Sequence, residues 1–233
     1  MAKGRKPFKK DGKMRQLITK FNPRSPISEQ YKTVRTNLQF ASVDGELNSL
    51  LITSSGPSEG KSTITANLAV VFAQQGKKVL LIDADMRKPT LHYTFRMDNL
   101  HGLSTVLAGG HTLEKSIVNS DIPGLDLLAC GPIPPNPSEL LGSKKMEQLV
   151  EEAVGHYDLV IFDTPPVLAV TDAQILGNLC QGVVMVVRSK ETEYESAQRA
   201  KELLDKGNAK LLGVVLNDKK IKRGSQYYYY GTN

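Results

Sequence analysis

Ser55-Gly56-Pro57-Ser58-Glu59-Gly60-Lys61-Ser62-Thr63 is the stretch that decides the fold. An apolar run, Ser49 to Thr53, leads into it. A segment from Ser62 to Gln75 follows, with Ile64, Leu68, Val71 and Phe72 near helical spacing and Gly76 placed to end the helix. A buried strand passing through a glycine-rich turn into a helix is the setting of a phosphate-binding loop. The loop's backbone N–H groups and the helix N-terminus both attract anions. Gly60-Lys61-Ser62 matches the end of the pattern G-x-x-x-x-G-K-[ST], whose first glycine is replaced here by Ser55. Gly56, Pro57, Ser58, Glu59, Gly60, Lys61, Ser62 and Thr63 are therefore the expected nucleotide cradle. Lys61 is suited to the β- and γ-phosphates, and the Ser62 hydroxyl to Mg²⁺.

Outward from this loop, apolar runs alternate with helical patterns. Strands are expected over 78–83, 125–129, 158–163, 182–187 and 211–217. Helices are expected near 144–154, 171–179 and 192–206, with one more over 26–41 that Pro23 and Pro26 introduce. Strands that are nearly continuous Val/Ile/Leu belong in a parallel sheet covered on both faces. The expected fold class is α/β: a P-loop NTPase with a mostly parallel central sheet and helices on both faces, an arrangement that resembles the MinD/ParA-like ATPases. Ligands of such sheets bind at the carboxyl ends of the strands. Three carboxylates fall there. Asp163 ends Val160-Ile161-Phe162-Asp163 as a Walker B aspartate does, and Asp83 and Asp85 follow Leu81-Ile82 two positions apart. In extended geometry Asp83 and Asp85 point to the same side, so one can serve the metal while the other takes a proton. Either could equally cap the next helix. The last strand ends Asn217-Asp218-Lys219-Lys220, which is not the N-K-x-D pattern of a GTPase, so ATP is the expected nucleotide. Asn217 is placed to touch the base edge or simply to terminate its strand.

The 233 residues carry 30 Lys+Arg against 24 Asp+Glu, a net charge of +6, with 40% apolar residues, an ordinary globular composition that excludes a wholly disordered chain. The charge is uneven. Residues 1–24 hold nine basic residues against Asp11 alone, a net +8, so the remainder carries −2. Residues 1–24 are expected to be a disordered basic tail, able to lie on an anionic membrane or to bind nucleic acid without sequence preference, or simply solvated. Residues 25–218 form the expected folded domain and 219–233 a flexible tail. No run approaches the length of a membrane span, and no apolar segment follows the basic N-terminus as in a secretory signal. Two cysteines, Cys130 and Cys180, cannot staple a domain of this size, which points to a reduced, cytoplasmic setting. The four histidines have no metal-ligand spacing. Half of the eight tyrosines are consecutive, Tyr227 to Tyr230, and four residues in a row fit neither helical nor strand periodicity. They are either a sticky packed end or a set of hydroxyls that something modifies.

Gly56 to Thr63, Leu80-Leu81-Ile82-Asp83-Ala84-Asp85-Met86-Arg87-Lys88-Pro89, Val160 to Pro166 and the terminal tyrosines together resemble the cytoplasmic kinase domain of bacterial tyrosine kinases, in the free-standing form typical of Firmicutes. The resemblance runs over about residues 25–231. It implies a protein-tyrosine kinase of capsule and exopolysaccharide biosynthesis that uses ATP and Mg²⁺. It implies Lys61, Asp83, Asp85 and Asp163 as catalytic residues, with Asp83 as base, and Ser62, Asp85 and Asp163 as the metal site. Tyr227, Tyr228, Tyr229 and Tyr230 match the cluster that one subunit of a ring phosphorylates on the next. The ring contact of the family, E-x-x-R-x-x-R on the first helix, reads Glu29, Lys32 and Arg35 here. Lysine in the middle keeps the charge but not the guanidinium fork. The resemblance further implies a membrane-embedded activator that engages the kinase through its cytoplasmic tail, protein tyrosine substrates, and recruitment to the inner face of the membrane. No sequence-specific nucleic acid partner is expected. Two other readings share the same loop: a MinD/ParA-like positioning ATPase, and an ATP-binding regulatory scaffold of a polysaccharide export complex. The positioning ATPases commonly carry an extra lysine early in the loop, and Ser54 to Ser58 contain none.

Overall fold

The structure is a computed structural model that describes residues 17–41 and 46–220. Its strands are β1 (Ser49–Ser54), β2 (Val79–Asp83), β3 (Val118–Asn119), β4 (Leu125–Leu128), β5 (Leu159–Asp163), β6 (Gly182–Arg188) and β7 (Leu211–Asn217). The helices before β3 are α1 (Ile18–Phe21), α2 (Pro26–Ala41), α3 (Lys61–Ala73), α4 (Leu91–Phe95), α5 (Leu103–Leu107) and α6 (Leu113–Ser116). Those after it are α7 (Pro137–Leu141), α8 (Lys144–His156), α9 (Asp172–Gly177) and α10 (Tyr194–Lys206).

The seven strands form one sheet in the order β3-β4-β2-β5-β1-β6-β7. All neighbours are parallel except the two-residue edge strand β3, which runs antiparallel to β4. Successive side chains of β1 go to opposite faces: Leu50 packs with α3, Leu51 with the layer of α8, α9 and α10. β1, β2 and β5 are buried along their whole length, which is why they read as unbroken apolar runs. β7, at the open edge, leaves Val214 and Leu216 about half exposed. Helix α3 is buried all round because the sheet lies under it and α1 and α2 lie over it.

The expected strands and long helices form within a few residues of their expected limits. The short helices and β3 are additions, since one turn of helix or two residues of strand leave no period to read. The basic tail expected over 1–24 is corrected from Leu17 onward. Leu17 is buried in the core over α3, and Thr19 is fully buried. The Thr19 backbone N–H and hydroxyl both donate to Asn67 Oδ1, at 3.0 and 2.8 Å. Gln74 Nε2 donates to the Thr19 carbonyl at 3.0 Å, and Lys20 pairs with Asp121. A buried asparagine on α3 needs partners, and this short segment supplies them. Residues 1–16 and the terminal tyrosines lie outside the described residues. Among the described residues no helix is long and apolar enough to cross a membrane.

Candidate active site

Strand β1 delivers the phosphate loop to the carboxyl edge of the sheet, and α3 begins at Lys61. Ser58 and Gly60 adopt positive φ, 63° and 93°, and this curls the loop around its own N–H groups. At Gly60 a Cβ would lie 2.2 Å from Asn217 Nδ2, so only glycine fits. Pro57 and Ser58 are exposed at the tip, whereas Glu59 and Ser62 are buried.

Parallel pairing places the carboxylates. β5 lies between β1 and β2, and Asp163 is in register with both Ile52 and Asp83. Lys61 Nζ sits 2.8 Å from Asp85 Oδ2 and 3.4 Å from Asp163 Oδ1, with the Ser62 hydroxyl at 3.2 Å. Burial opposes the charge on Lys61, but Asp163, Asp85 and Asp83 outweigh it and raise its pKa above the ordinary lysine value. Asp83 is fully buried. Its Oδ1 accepts from the Asp85 N–H at 3.2 Å, and its Oδ2 from the Thr90 and Leu91 N–H groups, each at 2.8 Å. Burial first and the Asp163 charge second push the Asp83 pKa up to about 7, against the pull of those N–H groups and Lys61. Asp83 thus caps α4, the local role left open beside the catalytic one. Asp85 Oδ1 accepts from the Lys88 and Arg87 N–H groups at 3.0 and 3.4 Å, which turns its other oxygen toward Lys61.

Asp163 Oδ1 also accepts from the Thr65 hydroxyl at 3.3 Å, while Asp163 Oδ2 is buried with no hydrogen-bond partner. An orphaned, buried carboxylate oxygen beside a second carboxylate and a serine hydroxyl fits a hard cation. Two carboxylates and a hydroxyl are what Mg²⁺ takes when phosphate and water complete its shell. Ser62, Asp85 and Asp163 are the residues that would hold it.

Asn217 Nδ2 donates to the Glu59 carbonyl at 2.9 Å, so its amide supports the loop from the end of β7. No hydrogen bond or ion pair among the described residues joins Glu29, Lys32 or Arg35 to Asp83, Asp85 or Asp163. Lys32 Nζ pairs with Glu29 Oε1 at 2.7 Å on the exposed side of α2. Arg35 turns away and donates from Nη1 to the Val71 carbonyl at 2.8 Å, in the last turn of α3. Six positions on a helix amount to about 120° of rotation from the start, so Arg35 faces away from the Glu29–Lys32 pair.

Several supporting residues escape sequence reasoning. Thr65 stands one helical turn after Lys61, and that spacing could have found it. Arg87 forms a two-pronged pair with the fully buried Asp172, Nε and Nη2 each at 3.0 Å, and Ser138 donates to the same carboxylate at 2.9 Å. This ties the Asp85 turn to α7 and α9, across 85 residues of chain that no local pattern spans.

A family model described as "AAA domain" matches residues 56–206. The chain is 56% identical over 218 residues to the tyrosine-protein kinase YwqD of Bacillus subtilis (strain 168), covering 94% of this chain and 92% of that one. The chain belongs to the bacterial tyrosine kinase family. This kinase also superposes on the chimerical protein CapA2B2 with a TM-score of 0.85 and 47% identity, over 88% of this chain and 90% of that one. A more distant neighbour is the septum site-determining protein MinD of Pyrococcus horikoshii OT3, solved with Mg-ADP. It has a TM-score of 0.63 and 25% identity, over 72% of this chain and 69% of that one. The kinase is an ATPase-type P-loop fold whose relatives are named for tyrosine phosphorylation.

Proposed function

We propose that this kinase transfers the γ-phosphoryl group of ATP to tyrosine hydroxyls in the presence of Mg²⁺, and that Tyr227, Tyr228, Tyr229 and Tyr230 are its own acceptors. The observation that carries the reading is the convergence of Lys61, Ser62, Asp85 and Asp163, with one buried Asp163 oxygen left open. Ser62, Asp85 and Asp163 would hold the cation, which would supply neutralisation of charge on the phosphates. Lys61 is the group suited to the β- and γ-phosphates. The Ser58–Thr63 N–H groups orient the phosphate chain, and Asn217 borders the base. Asp83 accepts the tyrosine proton. Free tyrosine has a pKa of about 10, and a carboxylate lifted to about 7 is better matched to that task than an ordinary one.

In this reading one subunit phosphorylates the next within a ring, with Glu29 and Lys32 of α2 at the contact and Arg35 bracing α2 on α3. A membrane-embedded activator engages the kinase through its cytoplasmic tail. The kinase works at the inner face of the membrane on capsule or exopolysaccharide biosynthesis. Each phosphotyrosine adds roughly 1.5–2 negative charges, so a phosphorylated cluster repels itself and the acidic site, and the ring loosens. Light scattering that gives the same mass for the phosphorylated and unphosphorylated forms would refute that last step.

The central test is intact mass after incubation with Mg-ATP, for wild type and Lys61→Met, with mapping of the phosphosites. Phosphate on Tyr227–Tyr230 that is absent from the variant is the expected result. ADP release without phosphotyrosine, with the activator tail supplied, would instead favour a positioning ATPase.

A further inference from the structure

Glu59 stands in the middle of a loop built to bind anions, and the residue is only 7% exposed. Among the described residues it makes no ion pair. Its charge is met by hydrogen bonds alone. The Ser55 hydroxyl donates to it, 2.8 Å from Oε1 and 2.9 Å from Oε2, and the Gly56 N–H donates to Oε2 at 3.1 Å. The Thr192 hydroxyl donates to Oε1 from outside the loop. Thr192 Oγ1 in turn accepts from the Arg188 N–H at 2.8 Å, at the end of β6. The Glu59 carbonyl is held from the other direction by Asn217.

Ser55 is the position where the phosphate-loop pattern carries glycine. Its side chain is fully buried, and its hydroxyl bonds to Glu59. The departure from the pattern and the acid four residues later are thus a matched pair. Glycine at 55 would strip Glu59 of a donor, and an apolar residue at 59 would leave the buried Ser55 hydroxyl unmet. The network leaves the loop through Thr192, after β6, and Asn217, at the end of β7, and the Ser55 carbonyl accepts from the Leu168 N–H at 3.4 Å. It therefore fixes the loop against the neighbouring rim of the sheet through bonds that do not use the Lys61 or Ser62 side chains.

We propose that the Glu59 carboxylate is a positioning group that sets the phosphate loop in its nucleotide-receiving shape, with Ser55 as its matched donor and Thr192 as its anchor on the next loop. This rests on the loop being the nucleotide site. Binding a polyphosphate needs several N–H groups aimed at once, and a loop already held in that shape gives up less entropy when the ligand arrives.

The test is equilibrium titration of the full chain, in Mg²⁺, with a fluorescent ADP derivative, beside thermal melts. Glu59→Ala weakens binding by about tenfold or more, the scale of a lost hydrogen bond to a charged group. Thr192→Val weakens it by several-fold, and Thr192→Ser, which keeps the hydroxyl, binds within about twofold of wild type. The double variant Glu59→Ala/Thr192→Val binds within about twofold of Glu59→Ala, because the bond between the two side chains is already gone and the remaining Arg188–Thr192 bond does not reach the phosphate loop. Wild-type affinity in Glu59→Ala, losses that multiply in the double variant, or a lower melting temperature with unchanged affinity would each overturn the proposal. Should Glu59→Ala not fold, the contrast between valine and serine at 192 decides it. A wild-type chain that binds no nucleotide overturns the underlying reading and the positioning role with it.

Discussion

Replacing Lys61 by methionine removes the cation shared by three buried carboxylates. Its ammonium lies 2.8 Å from Asp85 and 3.4 Å from Asp163, and the side chains are 11%, 6% and 0% exposed. Breaking a buried pair by deleting one partner costs about 3–5 kcal/mol, because the other charge stays buried and unmet. For a domain of this size each kcal/mol moves the melting temperature by about 2–4 °C, so the expected fall at pH 8 is roughly 6–20 °C. The fall depends on pH. The Asp83 pKa is raised from 3.8 to about 7 in the folded protein. Between those values the folded state holds a proton that the unfolded chain releases, so the group penalises folding increasingly as pH rises toward 7 and fully above it. Without Lys61 the uncompensated charge is therefore largest at pH 8, and the gap to wild type narrows near pH 5. Mg²⁺ raises the melting temperature of the variant more than that of wild type, since the ion enters a site that no longer holds an ammonium. Calorimetry of both proteins at the two pH values, with and without Mg²⁺, is the assay. A variant melting within about 2 °C of wild type at pH 8 would refute the reasoning, as would a gap that ignores pH.

Gly60→Ala combines a φ of 93° with a Cβ placed 2.2 Å from Asn217 Nδ2. It loses about 1–3 kcal/mol in urea unfolding and most nucleotide binding, and an unchanged midpoint would show that the loop adapts. Thr19→Val leaves Asn67 Oδ1 without its hydroxyl donor and costs about 1–3 kcal/mol by the same assay. Truncation up to residue 16 spares that contact. Burial pushes both thiols up, the Asp83 and Asp85 charges adding to the effect at Cys130. A thiol reagent at pH 8 is therefore expected to leave Cys130 and Cys180 untouched in the native protein and to label both after denaturation.

The legible part of the site was the part written in consecutive residues. Gly60-Lys61-Ser62 follows a strand and opens a helix, and that order alone places an ammonium and a hydroxyl at a helix N-terminus. Asp163 was legible because four apolar residues ending in an acid put that acid at the rim. Arg35 was legible only as the third member of a spaced trio, and the carbonyl that α3 offers it is something a spacing rule does not see. Leu17 and Thr19 were hidden inside a basic composition, because charge averages over a window while burial is decided residue by residue.

The long elements, the phosphate loop and the identity of the acids are legible along the chain, because strand and helix periods and loop motifs are local properties. Where those acids meet depends on the assembled sheet. The sheet order β2-β5-β1 sets Asp83 against Asp163, whose charge helps raise the Asp83 pKa, and it brings Lys61 between Asp85 and Asp163. It also decided that Asn217 and Thr192 serve the loop, across separations of 158 and 133 residues. Hydrogen bonds and charge interactions depend on distance in space, and parallel crossovers bring together residues whose distance along the chain carries no record of it.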